Sequence, residues 1–442
     1  MAKKKKLHII THGCQMNIYD SVRIKESLAD EYIDIPSPKG ADLIIINTCS
    51  VREKPQIKVI AELENLRPLQ RRNPNLIFVV AGCVAQQEKG NLIKRIPFLD
   101  LVIGPDKIAN LPNILRDLKR GDKKQDTGFI SGGFHLEEFA PLETFGKNGN
   151  VSAFVAVQKG CNKFCSYCIV PHVRGREKSR PHEEVIREIQ NYSDAGVVEV
   201  TLLGQNITAY GEDLNGCDFA DLLYKVAEID KIKRIRFVTS HPADMTDKQI
   251  DAIANIDKVC NYLHLPIQCG SDRILELMNR GYTSGQYIDL IDRFRSRIPD
   301  LFVSGDMIVG FPGETEQEFE QTMEIIDRIE YDLLFSFIYS SRPGTKAARF
   351  DDPVSWDEKQ KWLARLQERQ KYHARKSNEK LLGTTQEVLV ENISKRSPND
   401  LTGKTTSNKY VNFTADSSLI GKFTQVKIVE AYQNSLRGEL VK

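Results

Sequence analysis

The sequence predicts an α/β protein in three parts: a parallel-sheet amino-terminal domain (1–130), a partial (βα)6 barrel (151–376) after a linker (131–150), and a small β barrel (377–442). Three observations predict this. Unbroken branched runs such as Leu43-Ile44-Ile45-Ile46 alternate with helical patterns, which indicates a parallel sheet covered on both faces. Six further strand–helix units follow over about 190 residues, fewer than the eight of a closed βα barrel. The final stretch changes to short alternating strands separated by turn residues.

In the first part, strands are expected at 7–11, 43–46 and 76–80, with helices over 18–30, 52–66 and 85–95. The polar, glycine-rich stretch 117–150 reads as a connection, of which 131–150 is the linker. In the second part, strands are expected at 153–157, 197–203, 235–238, 262–267, 302–309 and 334–339. Helices are expected at 182–194, 271–279, 285–297 and 315–329, and a charged helix over 355–382 precedes the last part. There, strands at 386–390, 409–413, 423–429 and 436–441 flank turns at Ser397-Pro398-Asn399-Asp400 and Gly421.

With 442 residues, 40% hydrophobic and 28% charged, the chain is a soluble globular protein of more than one core. No apolar run reaches the ~18 residues a membrane span needs, and the start lacks a secretory pattern, so no membrane partner and a cytoplasmic location are expected. Nine cysteines in a reducing compartment point to metal or catalysis before disulfides. A net charge of +2 neither requires nor excludes a nucleic-acid partner. From residue 376 onward, ten Lys or Arg against seven Asp or Glu modestly favour a polyanion.

Cys161, Cys165 and Cys168 are spaced C-x3-C-x2-C directly after the first barrel strand, on the face where such folds carry chemistry. Three thiolates leave one iron of a four-iron cubane open, whereas a structural zinc site would want a fourth ligand. The alternatives are an incomplete zinc knuckle or buried structural cysteines. With Tyr167 before the last cysteine, the stretch resembles the signature of radical S-adenosylmethionine (SAM) enzymes. In that superfamily SAM occupies the open iron and one electron cleaves it to a carbon radical.

Cys14, Cys49 and Cys83 each stand just beyond a strand of the first domain, 35 and 34 residues apart. Parallel strands emerge on one edge, so the three can converge where open α/β sheets bind ligands. Gly13 and Gly82 permit tight turns there. The alternative is three small buried hydrophobes.

Dispersed amino-terminal cysteines, a radical SAM core and a terminal β barrel, in that order, resemble the methylthiotransferase family over nearly the whole chain. Gly13-Cys14-Gln15-Met16-Asn17, Arg174-Gly175-Arg176-Glu177, Ser179-Arg180-Pro181 and Asn434-Ser435-Leu436-Arg437-Gly438 look like its tRNA-acting branch. The resemblance implies two 4Fe–4S clusters, SAM, an external reducing electron donor, a monomer and a TRAM-type RNA-binding barrel. It also implies addition of a methylthio group to carbon 2 of N6-dimethylallyladenosine at position 37, in the anticodon stem-loop of tRNA. That C–H bond offers acid–base catalysis little to deprotonate, whereas a radical can replace the hydrogen.

It follows from the resemblance that Cys161, Cys165 and Cys168 hold the radical-forming cluster, and Cys14, Cys49 and Cys83 the sulfur-handling one. Tyr167, Gln205, Asn206 and Gln268 are the candidate SAM contacts. Arg174, Arg176 and Arg180 are candidate RNA phosphate contacts beside the cluster loop, and Lys404 and Lys409 are further candidates in the small barrel. Cys217, Cys260 and Cys269 read as ordinary thiols, His12 as a packed histidine, and the turn Gly310–Glu314 as a weak ligand candidate. Two rivals are the same chemistry on a threonylcarbamoyl adenosine or a ribosomal-protein aspartate, and a non-catalytic iron–sulfur carrier or RNA-binding scaffold.

Overall fold

The computed structural model describes residues 3–50, 55–119, 121–136, 139–147 and 150–441. The amino-terminal sheet holds β1 (Lys5–His12), β2 (Tyr32–Asp34), β3 (Leu43–Thr48), β4 (Ile77–Gly82), β5 (Leu101–Ile103) and β6 (Lys124–Asp126). All are parallel, in the order β2-β1-β3-β4-β5-β6. Helices α1 (Gln15–Leu28), α2 (Pro55–Arg72), α3 (Cys83–Glu88), α4 (Gly90–Arg95) and α5 (Leu111–Asp117) cover it. The branched run of β3 feeds two cores at once. Ile44 and Ile46 join Phe78 and Val80 on one face, while Leu43 and Ile45 join Val79 and Ala81 on the other.

Two expectations change here, and part of a third falls outside the described residues. The helix expected at 85–95 divides because Lys89 takes φ 50, a left-handed conformation that ends α3 and starts α4. The connection expected from 117 contributes the edge strand β6. Residues 52–54 of the second helix lie outside the described residues.

The second part contains β7 (Ser152–Ala156), the short pair β8 (Gln158–Lys159) and β9 (Lys178–Ser179), then β10 (Glu199–Leu203), β11 (Arg234–Val238), β12 (Tyr262–His264), β13 (Phe302–Val309) and β14 (Leu333–Ile338). Its helices are α6 (Val170–Arg174), α7 (His182–Asp194), α8 (Phe219–Ala227), α9 (Asp247–Asn255), α10 (Asp272–Leu277), α11 (Ser284–Arg297), α12 (Glu316–Ile329) and α13 (Trp356–Glu379). Six strands form two parallel triplets, β7-β10-β11 and β12-β13-β14, joined by the isolated Ile235–Val259 bridge. Reciprocal caps start four helices: Asp218 with Asp221, Thr246 with Gln249, Thr283 with Gln286, and Thr315 with Glu318. β12 stops at His264, three residues before its expected end.

The last part closes as a barrel in the order β15-β16-β17-β19-β18: β15 (Thr385–Ile393), β16 (Asp400–Thr405), β17 (Tyr410–Thr414), β18 (Phe423–Ala431) and β19 (Leu436–Leu440). β16, a strand not expected from the sequence, begins at Asp400, where the expected turn at 397–400 ends. Its Gly403 passes so close to β15 that a Cβ there would meet Leu389 O at 2.3 Å. Two buried arginines of β11 clamp this barrel to the amino ends of the central strands. Arg234 donates to Lys404 O (2.8 Å) and Glu387 O (2.9 Å), and Arg236 to Thr405 O (2.8 Å), Thr406 O (3.0 Å) and Glu199 (3.0 Å).

Candidate active site: two cysteine sets and a bridging arginine

At the carboxyl edge of the first sheet the three expected cysteines meet. Cys14 follows β1 and caps α1, Cys49 follows β3, and Cys83 opens α3 directly after β4. The Cys49 thiol shares hydrogen bonds with those of Cys14 and Cys83. Close approach depends on two left-handed glycines. At Gly13 (φ +138) a Cβ would meet Cys49 Cβ and Asn17 Oδ1, both at 2.5 Å; at Gly82 (φ +92) it would meet Asn47 Oδ1 at 2.5 Å and Thr48 O at 2.7 Å. Asn17 and Asn47 brace the edge through an Nδ2–Oδ1 bond of 3.1 Å and a bond from Asn47 Nδ2 to Asn17 O of 2.8 Å.

Hydrogen bonding from Cys49 lowers the Cys14 thiol to about 6 and the Cys83 thiol to about 7. The Arg174 guanidinium favours both thiolates and burial opposes them, while Cys49, as the shared donor, is pushed up. Ser50 Oγ beside this edge is buried without a partner. Thiol convergence, a cationic neighbour and backbone room suit a cluster bound by three thiolates.

The second set occupies the loop after β8. Burial pushes Cys161 up to about 11 and Cys168 up to about 12, so metal binding there must displace protons. Arg280, buried, donates to Cys165 Sγ (3.3 Å), Pro266 O (2.8 Å) and Tyr282 Oη (2.8 Å). Around this loop Gln158 Nε2, Glu177 Oε2, Ser240 Oγ and His241 Nε2 are buried and unpaired. Burial, with the charges of Arg280 and Lys163, lowers His241 to about 2. Its Nδ1 accepts from Ala243 N (3.3 Å), which leaves the proton on the unpaired Nε2. Unsatisfied polar atoms at these strand ends fit a polar ligand such as SAM.

Arg174 ties the two sets together. It ends α6, six residues past Cys168, yet its Nε donates to Cys83 Sγ (3.3 Å) and its Nη2 to Asp20 (2.7 Å) in the first domain.

A curated protein from Geobacter sulfurreducens named tRNA-2-methylthio-N(6)-dimethylallyladenosine synthase is 46% identical over 100% of this chain and 98% of its own. The chain belongs to this synthase family. Proteins of the same name from Stenotrophomonas maltophilia (47% identity, 99% of this chain and 93% of theirs) and Neisseria gonorrhoeae (46%, 99% of each) agree. Residues 155–326 match the radical SAM superfamily, 6–104 an uncharacterized protein family designated UPF0004, and 379–441 the TRAM domain. Among solved structures, the radical SAM methyltransferase TsrM from Kitasatospora setae shares the fold (TM-score 0.56, 12% identity, 78% of this chain and 75% of that one). So does the cobalamin-dependent radical SAM enzyme OxsB (TM-score 0.55, 13%, 84% and 56%).

In this synthase-family chain several expected contacts are placed elsewhere. Arg174 and Arg180 are buried and spent on protein, not on RNA phosphate: Arg180 pairs with Glu184 and Glu188. Lys409 is buried too and holds Asp332 (3.2 Å), Ser377 (2.8 Å) and Asn378 (2.7 Å), docking the small barrel to α13. Lys404 pairs with Glu391 (2.9 Å) and covers Tyr410. Arg176 alone of the three arginines is exposed, over the exposed Phe164 ring at 4.2 Å.

Gln205 accepts from Gly160 N, bracing the cysteine loop, and buried Asn206 donates to Asp244 (2.7 Å). Gln268 is left-handed (φ 81) and bridges to Met307, and Tyr167 packs beside Cys269 and Met278. His12 is exposed and pairs with Glu62 (3.3 Å), not packed. The turn amides of Gly310 and Phe311 are already taken by Glu314. Among the described residues no helix is long and apolar enough to cross a membrane. The sequence reading missed Arg280, for which spacing carries no signal, and Glu177, which stood inside a quoted motif.

Proposed function

We propose that this protein is a radical SAM tRNA methylthiotransferase that attaches a methylthio group to carbon 2 of N6-dimethylallyladenosine at position 37. The observation that carries this reading is the contact of Cys14, Cys49 and Cys83 beside the second cysteine set, bridged by Arg174. Cys161, Cys165 and Cys168 hold one 4Fe–4S cluster and Cys14, Cys49 and Cys83 the other. When bound, the clusters and SAM supply the radical and the sulfur that acid–base groups cannot.

The chain's own residues position this chemistry. Arg280 and Arg174 each donate one N–H to a cysteine sulfur, which fixes its orientation, and at Cys83 the Arg174 guanidinium also favours the thiolate. Gln158, Glu177, Ser240 and His241, whose buried polar atoms lack partners, would be available to the polar groups of SAM. The terminal barrel and Arg176 contact RNA while the target base leaves its stack. The protein works in the cytoplasm as a monomer, with an external reductant.

The test is anaerobic reconstitution of wild type and of two triple Cys→Ala variants. Iron and sulfide should be about eight per chain in wild type and about four in each variant. Only wild type should add the methylthio group to dimethylallyl tRNA, read by nucleoside mass spectrometry. Unchanged iron after loss of Cys14, Cys49 and Cys83 would defeat the two-cluster reading.

A further inference from the structure

The inner face of the partial barrel carries two large side chains for which the fold itself has no use. On β14, Leu334 belongs to the helix-covered core and Ser336 meets Gln367 of α13 (3.4 Å), so the intervening Phe335 and Phe337 point the other way. Their register partners on β13 are Asp306 and Ile308, which alternate with the core residues Met307 and Val309. Phe335 and Phe337 remain 41% and 45% exposed. Solvent exposure of two neighbouring phenylalanines on a concave wall is unfavourable unless something covers them.

The surroundings define what fits. Beside Phe335 lie the His264 ring (6.0 Å) and, through it, Asp306 (3.6 Å) and Ser304 (2.9 Å). Toward the amino ends, Lys409 over the Phe302 ring closes the floor. On the opposite triplet, Phe154, Leu203 and Val238 meet Met16, two residues from Cys14. At the carboxyl end of β14, the following segment touches the cysteine loop through Ala347 N and Ser166 O (2.8 Å). The exposed rings therefore lie on the inner face of the barrel, whose β14 is followed by a segment that touches the loop of the second cysteine set.

We propose that Phe335 and Phe337 seat the dimethylallyl group of the target adenosine and so discriminate it from unmodified adenosine. This rests on the function proposed above. A branched five-carbon chain matches apolar ring faces, and the neighbouring His264 and Asp306 offer hydrogen bonding to the more polar adenine edge. Arg176, outside this wall, contributes to RNA binding without reading the isoprenoid.

The test is equilibrium binding of reconstituted full-length protein to two anticodon stem-loop RNAs, identical but for the dimethylallyl group. Wild type should prefer the modified RNA by about tenfold or more. Phe335→Ala/Phe337→Ala should reduce that preference to about twofold while leaving affinity for the unmodified RNA and the iron content unchanged. Phe335→Leu/Phe337→Leu should restore most of the preference, since an apolar surface suffices. A double-alanine variant that keeps the wild-type preference overturns the assignment, as does wild type binding both RNAs equally. If wild type binds neither RNA, the tRNA reading itself fails and this assignment with it.

Discussion

Arg174 offers a quantitative test of how the first domain is held against the barrel. Its side chain and Asp20 are both buried and their ion pair measures 2.7 Å. Breaking a buried pair by removing one partner typically costs about 3–5 kcal/mol, because the remaining charge stays desolvated. Arg174→Gln also strips the donor from Cys83 Sγ, so it should sit at the upper end of that range. Asp20→Asn should cost less, because Arg174 still faces the thiols of Cys83 and Cys14. The double variant should then lose clearly less than the sum, with a coupling of about 1.5–3 kcal/mol. Urea unfolding of the four proteins, followed by a probe on each domain, would measure it. Additive losses, with coupling under about 0.5 kcal/mol, would refute the claim that this pair spans the interface.

Other outcomes are equally specific. Glu26, buried against Tyr192 and Arg23, is raised to about 7 mainly by burial, so the folded protein binds its proton more tightly than the unfolded chain does. Stability therefore falls as pH rises from about 4.5 to about 7, and Glu26→Gln should flatten that slope in melts from pH 4 to 8. Gly13→Ala or Gly82→Ala should lose about four irons per chain while sparing the other four, because the added Cβ collides with its neighbours at 2.5 Å. Arg236→Ala leaves Glu199 buried without its partner and frees two carbonyls of the small barrel. A cost of about 3 kcal/mol is expected, read as faster limited proteolysis between α13 and β15.

Much of this was legible in the sequence because its causes are local. Strand ends follow from the branched runs, and parallel strands bring Cys14, Cys49 and Cys83 to one edge whatever the helices do. Capping residues mark helix starts in the same way. The fate of Arg174, Arg180 and Lys409 was not legible. All look like surface cations in sequence, but Arg174 and Lys409 find partners 154 and 77 residues away that exist only once the parts dock, whereas Arg180 is buried against Glu184 and Glu188 just downstream. β16 was hidden for a related reason: Gly403 argues against a strand until its approach to Leu389 is known.

The placement of the two β11 arginines has a consequence of scale. They grip the small barrel at one end of the strand, whereas His241 and the cysteine loop lie beyond the other. From Arg234 to Val238 the strand advances about 13 Å. The strand thus fixes the separation between the small barrel and the cysteine loop, and a ligand that met both would have to span at least that length.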